Sequence, residues 1–550
     1  MSIQGAWRPG DEFYAFFQKD VYYSPVLQYN VWIKKQNVFC VKARKFVLLI
    51  LAEDVKVQIP IRSKLLSRLA RLQQGFNVKL YLCSRKGYDI MTYEIDELLK
   101  KIKHVHFIGI GGSGMCPLAE ILLSHGYTIT GSDNNPGDNI DKLRSLGVKI
   151  TMGQKAENIK GAEMIVYTAA LLPDNPELCA AKESSIPTFE RSKLFGAITR
   201  KYSNCIGVCG THGKTTVTSM LTQVLIMAGK DPTAVIGGKL PLIDSHGRSG
   251  KSETMVCEAC EFVDTFLDLS PDVAVILNID EDHLDYFKTL DNIIKSFRKF
   301  SLLTTHTLII NGDDENTLKA VEGIEKKKIT FGFNEENDYY PESITYNRGA
   351  FPEFDVMSKN KKLAHLKLNI PGKHNILNAL ACFAAAVNTG VDYADCEKGI
   401  EAFSGAGRRF EILGEFHGIT IADDYAHHPH ELEATLSAAM KMGYKNVWAV
   451  FQPFTYSRTA LLLDDFARVL RIPDRCVMTE IMGSREVNTY NIYTKNLAEK
   501  IPGSVWFNTF EEVSKYVTDN AQQGDLIITL GCGDIYKAAR IMENILKSKS

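Results

Sequence analysis

From His104 onward, short apolar runs alternate with longer stretches that have helical spacing. The runs His104–Ile108, Tyr127–Ser132 and Met164–Thr168 predict strands, and each is followed by a glycine-bearing turn or a helical stretch. This alternation is typical of βαβ units and of a mostly parallel sheet. Two further sets of strands are predicted at Cys205–Cys209, Thr254–Glu258, Val273–Asn278 and Thr307–Asn311, and at Ile419–Asp423, Val447–Phe451, Arg475–Glu480 and Asp525–Leu530. The pattern therefore predicts an α/β protein with three units in series.

Length and composition agree with a multidomain globular protein. The 550 residues suffice for three or four domains, and 45% apolar with 23% charged residues is ordinary for a globular chain. A net charge of −1 argues against nucleic-acid binding by the whole chain. The longest apolar stretch near the N-terminus, Phe46–Ala52, is too short to cross a membrane, and the first twenty residues carry no secretory signal. Twelve cysteines without metal-like pairing fit reduced thiols, so we expect a cytoplasmic protein with no membrane association.

The charge is uneven, because residues 31–90 hold thirteen Lys or Arg and only three acidic residues. One interpretation is an arm that binds nucleic acid or a membrane surface. The favoured interpretation is that residues 1–90 are a basic extension foreign to the enzyme that follows. Residues 31–90 lack clear helical or strand periodicity, and Met91 opens a new start just ahead of the first recognisable strand. We therefore hypothesise that Met91 is the true translation start.

A glycine-rich turn follows the strand His104–Ile108 and opens a helix predicted at Cys116–Ser124. Its G-x-G-x-x-G spacing lets the backbone approach a pyrophosphate at the positive end of a helix. Asp133 lies 19 residues beyond the last glycine of the turn, where a ribose-binding acid is expected. The glycines of this turn are Gly109, Gly111, Gly112 and Gly114. The pattern predicts a site for a nucleotide with a diphosphate and leaves open whether that nucleotide is NAD.

A second glycine-rich loop follows the strand Cys205–Cys209 and precedes a helix predicted at Val217–Ala228. It ends in Gly-Lys-Thr-Thr, the functional end of a P-loop, in which backbone amides hold phosphate, Lys214 neutralises the β and γ oxygens and the Thr215 hydroxyl reaches Mg²⁺. The loop comprises Gly210, Thr211, His212, Gly213, Lys214, Thr215 and Thr216. It predicts binding of ATP or GTP. Both loops together suit a ligase that activates a nucleotide-linked substrate, whereas a nicotinamide-dependent oxidoreductase, the alternative from another class, needs only the first.

Acidic and histidine residues follow the P-loop at the carboxyl ends of predicted strands, where ligands bind in such sheets. Because Mg²⁺ prefers oxygen ligands, Thr215 and Glu258 suit one ion. His283 is a less usual magnesium ligand, and it suits a second ion or a phosphate. The later group of His427, His428 and His430 suggests zinc at first sight. Adjacent histidines rarely point at one ion, however, and no cysteine spacing supports zinc there.

The order of these motifs resembles that of the Mur ligases. The motifs are Gly210–Thr216, Glu258–Glu261, Asn278–Asp285, Pro371–Ala379, Gly407–Glu411 and Asp423–Glu431 with Phe451–Pro453. The resemblance runs from about His104 to Tyr536. It implies a Rossmann-like UDP-binding domain at residues 91–204, a central P-loop ATPase domain at 205–404 and a Rossmann-like C-terminal domain at 405–550, which contacts the amino acid and ATP.

The resemblance further implies a monomeric or homodimeric, ATP- and Mg²⁺-dependent ligase of peptidoglycan synthesis. Within the family, the Asp423–Glu431 stretch looks most like the member that joins L-alanine to the carboxylate of UDP-N-acetylmuramate through an acyl phosphate. A close alternative is a ligase that recycles a murein tripeptide onto the same UDP-sugar. No nucleic-acid partner is expected, the basic segment at 31–90 being the only hint of one.

Residue roles also follow from the resemblance. The first glycine loop would bind the UDP diphosphate, with Asp133 near the nucleoside. The implied catalytic residues are Lys214, Glu258, His283 and Arg409, with Thr215, Glu258 and His283 as metal ligands and Arg409 at the γ-phosphate. The implied ATP contacts outside the P-loop are His374, Asn375, Asn378 and Asp424, and the implied substrate contacts of the C-terminal domain are Tyr425, His428 and Arg458.

Overall fold

The computed structural model describes residues 30–34, 38–42, 47–52, 55–59, 79–83, 90–484 and 486–548, with side chains from residue 94 onward except at position 285. The chain divides into two compact units, Met1–Glu97 and Leu98–Ser550.

The first unit contains a five-stranded mixed sheet that the sequence pattern did not indicate. Its strands, in order across the sheet, are Asn30–Lys34, Val38–Lys42, Val55–Ile59, Val47–Ala52 and Lys79–Cys83. The second and third of these pair in parallel, and the other neighbours pair antiparallel. Val47–Ala52 is apolar at every position, and the sequence analysis noted the run Phe46–Ala52 only as too short to cross a membrane. Whether translation starts at Met91 stays a prediction.

In the second unit, the first α/β domain has a five-stranded sheet that is parallel throughout. Its strands, in order, are Thr188–Glu190, Met164–Tyr167, His104–Ile108, Thr128–Asp133 and Lys149–Met152. The helices of this region are Cys116–Ser124, Asp138–Ser145, Pro176–Glu183 and Arg191–Thr199. A preceding helix, Ile90–Leu99, begins in the first unit and ends in the second. The middle strand is almost wholly buried, so the loop that follows it is held at a fixed edge of the sheet.

The central domain has a seven-stranded sheet in which only the two strands at one edge pair antiparallel. In order, its strands are Ser245–Arg248, Thr233–Leu240, Thr254–Glu258, Asn204–Cys209, Val273–Ile276, Thr307–Asn311 and Lys327–Phe331. A three-stranded antiparallel sheet follows at Tyr340–Asn347, Phe351–Ser358 and Lys361–Lys367. The α-helices are Lys214–Met227, Leu284–Phe287, Leu290–Leu303, Glu315–Val321, His374–Asn388 and Tyr393–Glu401.

One apolar core joins the parts of the central domain. The helix Lys214–Met227 packs against the helices His374–Asn388 and Tyr393–Glu401, and buried side chains of all three belong to a single cluster with the sheet. The alanine-rich segment Ala384–Ala386 lies fully inside this cluster, which allows close approach of the helices. This packing fixes the starts of two helices, Lys214 and His374, on the same side of the domain.

The C-terminal domain has a six-stranded sheet that is parallel except for its first pair. In order, the strands are Glu411–Phe416, Ile419–Asp424, Leu526–Leu530, Val447–Phe451, Arg475–Thr479 and Val505–Phe507. The helices are Pro429–Met440, Tyr456–Leu461, Leu463–Val469, Thr494–Ala498, Phe510–Asn520 and Tyr536–Ser548. Separate apolar clusters cover the two faces of the sheet, as expected for a doubly wound fold.

The predicted strands from His104 onward are present, with ends that differ by at most two residues. The helix after the second glycine loop begins at Lys214, three residues before the predicted Val217, because Lys214, Thr215 and Thr216 already have helical conformation. Within the described part of the chain, every helix is too short or too polar to cross a membrane. The domain limits 91–204, 205–404 and 405–550 stay predictions.

Candidate active site

The second glycine loop is fixed by backbone and amide hydrogen bonds to Asn278, which begins the loop after a neighbouring strand. The Thr211 amide donates to the Asn278 carbonyl oxygen at 3.0 Å, and the His212 amide donates to Asn278 Oδ1 at 2.8 Å. Gly213 has a φ of 89°, and a Cβ there would lie 2.6 Å from Asn378 Oδ1. Glycine is therefore required at this position both for the backbone conformation and for space.

Lys214 is held by a carboxylate to which the sequence analysis gave no role. Its Nζ donates to Glu261 Oε1 at 2.9 Å and to the carbonyl oxygens of Gly210 and Thr211 at 2.6 and 3.1 Å. Burial lowers the pKa of Lys214, but Glu261, Cys260 and Glu258 outweigh it and raise that pKa above its usual value. This shift favours the charged ammonium form of Lys214 on the second glycine loop. The other Glu261 oxygen is buried without a hydrogen-bond partner.

Thr215 and Glu258 form an oxygen pair at the start of the same helix. The Thr215 hydroxyl donates to Glu258 Oε2 at 2.8 Å, and the same oxygen accepts from the Gly237 amide at 2.9 Å. A Cβ at Gly237 would lie 2.5 Å from Glu258 Oε2, so only glycine leaves room for the carboxylate here. A hydroxyl and a carboxylate in contact are donors of the type that Mg²⁺ prefers, so these two residues fit one Mg²⁺ ion.

His283 lies in a different environment from Glu258. Its ring contacts the Phe262 ring at a centroid distance of 4.6 Å, and its Nε2 lies 3.6 Å from Asp282 Oδ2. Arg458 from the C-terminal domain donates to Asp282 Oδ1 at 3.1 Å. Burial raises the pKa of Asp282, but His283 and Arg458 outweigh this and hold it below its usual range. The role of His283 as a metal ligand stays a prediction.

A cleft of about 260 Å³ lies between the central and C-terminal domains and gathers most of the expected ATP contacts. From the central domain it is lined by His212, Gly213, Thr216, His374, Asn375 and Asn378. From the C-terminal domain it is lined by Arg409, Asp424, His430 and Glu431. His212 and Gly213 of the second glycine loop therefore line the same cavity as residues that lie some 160 to 220 positions later in the chain.

Asp424 and Arg409 line the side of the cleft that the C-terminal domain contributes. The Asp424 carboxylate accepts the backbone amides of Phe410 and Ala426, each at 2.7 Å. Burial raises the pKa of Asp424 to about 6, against the lowering effect of Arg409. The Arg409 guanidinium stacks over the Tyr425 ring at 5.0 Å, which holds Tyr425 beside the cleft. Neighbouring Arg408 does not line the cleft, since its Nε donates to Asp423 at 2.8 Å.

The three histidines after Asp424 have two kinds of partner. His427 turns inward, where its Nδ1 lies 3.0 Å from the Tyr425 carbonyl oxygen, and burial lowers its pKa to about 4. His428 and His430 instead face His212 of the phosphate-binding loop, with ring centroids 5.6 and 6.4 Å from it. Adjacent His427 and His428 thus have different partners. The approach of His212 to His428 and His430 was not predictable from local patterns, because His212 lies more than 200 residues earlier in the chain.

The first glycine loop is held by the acid expected near the nucleoside. Asp133 Oδ2 accepts the Gly111 amide at 2.9 Å, and Oδ1 accepts the Asn135 amide at 3.0 Å. Gly109 has a φ of 81°, and a Cβ there would lie 2.6 Å from Thr168 Cγ2. A Cβ at Gly114 would lie 3.1 Å from Nη1 of Arg191. Asp133 thus shapes the loop, and a role at the nucleoside stays a prediction, as do ligand contacts of Gly109, Gly111, Gly112 and Gly114.

Family models match most of the second unit in three segments. Residues 104–203 match the Mur ligase family catalytic domain, residues 208–386 the Mur ligase middle domain, and residues 408–533 the Mur ligase glutamate ligase domain. The chain belongs to the Mur ligase family, and its fold is the family's three-domain α/β architecture.

Individual members of the family that resemble this chain include two kinds of ligase. The chain is 45% identical over 450 residues to the UDP-N-acetylmuramate–L-alanine ligase of Caldanaerobacter subterraneus subsp. tengcongensis, with 81% of this chain and 97% of that protein covered. Its structure resembles the crystal structure of the UDP-N-acetylmuramate–alanine ligase of Thermotoga maritima, with a TM-score of 0.71. The two sequences are 29% identical, and the match covers 81% of this chain and 100% of that one. A murein peptide ligase of Psychrobacter arcticus shares the fold, at 24% identity and a TM-score of 0.65 over 82% and 99% of the two chains. Family membership favours the ligase over the nicotinamide-dependent oxidoreductase.

Proposed function

We propose that this protein is an ATP-dependent ligase that joins L-alanine to the carboxylate of UDP-N-acetylmuramate in cytoplasmic peptidoglycan precursor synthesis. The observation that carries the proposal is the cleft between the central and C-terminal domains, where the P-loop of one domain faces Arg409 and Asp424 of the other. The identity of 45% to a UDP-N-acetylmuramate–L-alanine ligase over nearly the whole of that protein supports the choice of substrates.

The proposed reaction has two steps. A carboxylate oxygen of UDP-N-acetylmuramate attacks the γ-phosphorus of ATP, the bond to the bridging oxygen breaks, and ADP leaves with that electron pair. The neutral amine of L-alanine then attacks the acyl carbon of the acyl phosphate, the C–O bond breaks, and inorganic phosphate leaves as the amide forms. The amine gives up one proton to solvent in this step. Phosphoryl transfer depends mainly on positioning and on neutralisation of charge.

Charged groups in the cleft and beside it would each contribute to this reaction. Lys214 is a buried ammonium beside Thr211 and Gly210, where the β and γ oxygens of a P-loop nucleotide lie. Arg409 supplies a second positive charge from the opposite domain. Asn375 and Asn378, at the start of the helix His374–Asn388, line the remainder of the cleft and place amide groups there. Asp424 is assigned to the ribose of ATP because it lies in the same wall as Arg409.

Thr215 and Glu258 would hold one Mg²⁺ ion, and His283 is assigned to a second. Bound Mg²⁺ would neutralise charge on the phosphate oxygens. The carboxylate of Glu258 is already aligned for this by its hydrogen bonds from Thr215 and the Gly237 amide. The first glycine loop is assigned to the UDP diphosphate, and Tyr425, His428 and Arg458 are assigned to substrate contacts from the C-terminal domain.

The direct test is product analysis with competing amine substrates. Purified protein is incubated with ATP, Mg²⁺ and UDP-N-acetylmuramate, together with equal amounts of L-alanine and of a murein tripeptide, and the UDP-linked products are measured by mass spectrometry. We expect the L-alanine adduct to dominate. Preferential formation of the tripeptide adduct would contradict the proposal and would assign the chain to the recycling reaction.

A further inference from the structure

Three histidines from two domains converge at the mouth of the nucleotide cleft. His212 belongs to the phosphate-binding loop of the central domain, and His428 and His430 flank the start of the helix Pro429–Met440 in the C-terminal domain. One ring nitrogen of each lies within 4.8 Å of one from each of the others. Neither the proposed ligase reaction nor the assigned Mg²⁺ ligands use the three histidines as a group.

In the described part of the chain, the hydrogen bonds of the three rings engage only Nδ1 of each. His212 Nδ1 lies 3.2 Å from Glu431 Oε1, while its Nε2 is buried without a hydrogen-bond partner. His430 Nδ1 lies 2.7 Å from Asp280 Oδ2. A carboxylate on one ring nitrogen orients the other toward a metal and makes it a better ligand. His428 Nδ1 accepts only a long bond of 3.4 Å from the His430 amide.

The spacing suits an ion after a small rearrangement. Metal–imidazole bonds of about 2.0–2.1 Å in a tetrahedral site place ligand nitrogens roughly 3.3 Å apart. The largest separation here is 4.8 Å, and the His430 side chain is 57% exposed, so its ring is free to turn inward. His428 is buried, with 5% of its surface accessible, and His212 is anchored through the loop. His430, the only exposed ring of the three, therefore has the most room to move.

The charges around the cluster favour a dication. Asp280 and Glu431 contact His430 and His212 directly, and Asp282 lies close enough to His428 to influence its charge. Lys214, on the same loop as His212, opposes this field but is already paired with Glu261. Imidazole ligands select zinc, copper, nickel and related transition metals, whereas Mg²⁺ prefers oxygen.

We propose that His212, His428 and His430 form a binding site for a divalent transition-metal ion, Zn²⁺ above all, that links the central and C-terminal walls of the nucleotide cleft. Water completes the coordination. Because His212 lies between Thr211 and Gly213 of the phosphate-binding loop, the bound ion ties that loop to the helix Pro429–Met440. The ion would thereby hinder entry of ATP, a consequence that rests on the proposed function, whereas the binding itself does not.

Binding is tested with the full chain and Zn²⁺ in millimolar Mg²⁺, using a chromophoric zinc chelator as competitor. We expect one tightly bound Zn²⁺ per chain, and an affinity at least tenfold lower in His430→Ala. His306→Ala, which removes an imidazole that is 72% exposed and lies outside the cluster, should bind as the unaltered protein does. Stoichiometric binding that His430→Ala leaves unchanged, or that Mg²⁺ abolishes, would overturn the proposal.

Two further readouts separate this proposal from the ligase assignment. Co²⁺ in place of Zn²⁺ should give the visible d–d absorption of a four-coordinate nitrogen site, and His428→Ala should lose it. Zn²⁺ should also raise the thermal midpoint of the unaltered protein more than that of His430→Ala, because an ion that binds only the folded state stabilises it. Equal midpoint shifts in both proteins would contradict the site whether or not the protein proves to be a ligase.

Discussion

The two glycine loops have similar backbones but different charges. Both follow a buried strand, open a helix and need glycine where a Cβ would collide with a neighbour. The first is tied by the carboxylate of Asp133, contains no lysine and has the guanidinium of Arg191 beside Gly114. The second is tied by the neutral amide of Asn278 and carries Lys214, with Arg409 across the cleft.

This difference fits the proposed roles of the two loops, in which the first holds a diphosphate and the second holds the phosphate that is transferred. Glycine spacing provides amides and room for phosphate in both loops, and it therefore predicts binding in both. The second loop carries Lys214 and shares its cleft with Arg409, and cations of this kind are what a developing charge on a transferred phosphoryl group requires. The following tests remove the features that distinguish the loops, starting with the largest expected effect.

Lys214→Ala should lower the turnover number by about 10²–10³, which corresponds to ~3–4 kcal/mol of lost transition-state stabilisation. The measurement is the rate of phosphate release at saturating substrates. Lys230→Ala, a change at an exposed lysine just past the other end of the same helix, should leave the rate unaltered. A Lys214→Ala protein that keeps more than about a tenth of the original rate would remove Lys214 from the chemistry.

Because Lys214 also balances the buried Glu261, the single substitution should lower stability as well. The double variant Lys214→Ala/Glu261→Gln removes the unpaired charge. We expect it to recover thermal stability relative to Lys214→Ala while remaining inactive. Recovery of activity together with stability would mean that Lys214 acts only through the fold.

Asp424 should make stability depend on pH in a specific window. Its folded-state pKa of about 6 lies above the usual value of 3.8, so between these pH values the folded state binds more protons than the unfolded state. Stability from this group is therefore present below pH 3.8 and is lost as the pH rises through 6, by roughly 3 kcal/mol in all.

The Asp424 effect is isolated by comparing variants. The thermal midpoint of Asp424→Asn minus that of the unaltered protein should increase from pH 4.5 to pH 7, since asparagine does not ionise. Asp465→Asn, at a side chain that is 56% exposed, should give a flat difference. A difference that is flat for Asp424→Asn too would show that this carboxyl ionises normally in the fold.

Glu258→Gln should raise the Mg²⁺ concentration for half-maximal rate by at least about 10–100-fold, because it removes the charged oxygen beside the Thr215 hydroxyl. Glu253→Gln, at an exposed residue just before the same strand, is the matched control. An unchanged Mg²⁺ requirement would place the ion elsewhere. The first loop offers no such pair, since both Asp133 oxygens already accept backbone amides.

Asp133→Asn should have the smallest effect of these substitutions, and it should change the KM for UDP-N-acetylmuramate. Replacing a charged acceptor of two amides by a neutral one costs about 1 kcal/mol, or roughly a factor of five in the KM for UDP-N-acetylmuramate. The KM for ATP should not change. Asp141→Asn, with a side chain that is 78% exposed, is the control. A rise in the KM for ATP alone would mean that the first loop does not hold the UDP-sugar.

Local sequence patterns predicted the parallel sheets and the residues that share one motif. The strand Val447–Phe451 and the loop Gly210–Thr216 are examples, because an apolar run and glycine spacing are properties of neighbouring residues. The three-stranded sheet from Tyr340 to Lys367 was missed, since its outer strand is exposed along most of its length and shows no apolar pattern.

Local sequence patterns could not predict contacts between residues that are far apart in the chain. The pairing of Lys214 with Glu261 spans 47 positions, and the meeting of His212 with His430 spans more than 200. Both depend on which strands are neighbours in the sheet and on how the two domains meet. The family resemblance placed Arg409 and Asp424 at the nucleotide, whereas Glu261 and Asn278 emerged only from the geometry.

The most direct test of the account is phosphate release by the purified chain with ATP, Mg²⁺ and UDP-N-acetylmuramate, measured with and without L-alanine. We predict sustained release only when both UDP-N-acetylmuramate and L-alanine are present. Release that does not depend on L-alanine, or no release with the complete mixture, would contradict the assignment of the two loops to an activated UDP-sugar and its ATP.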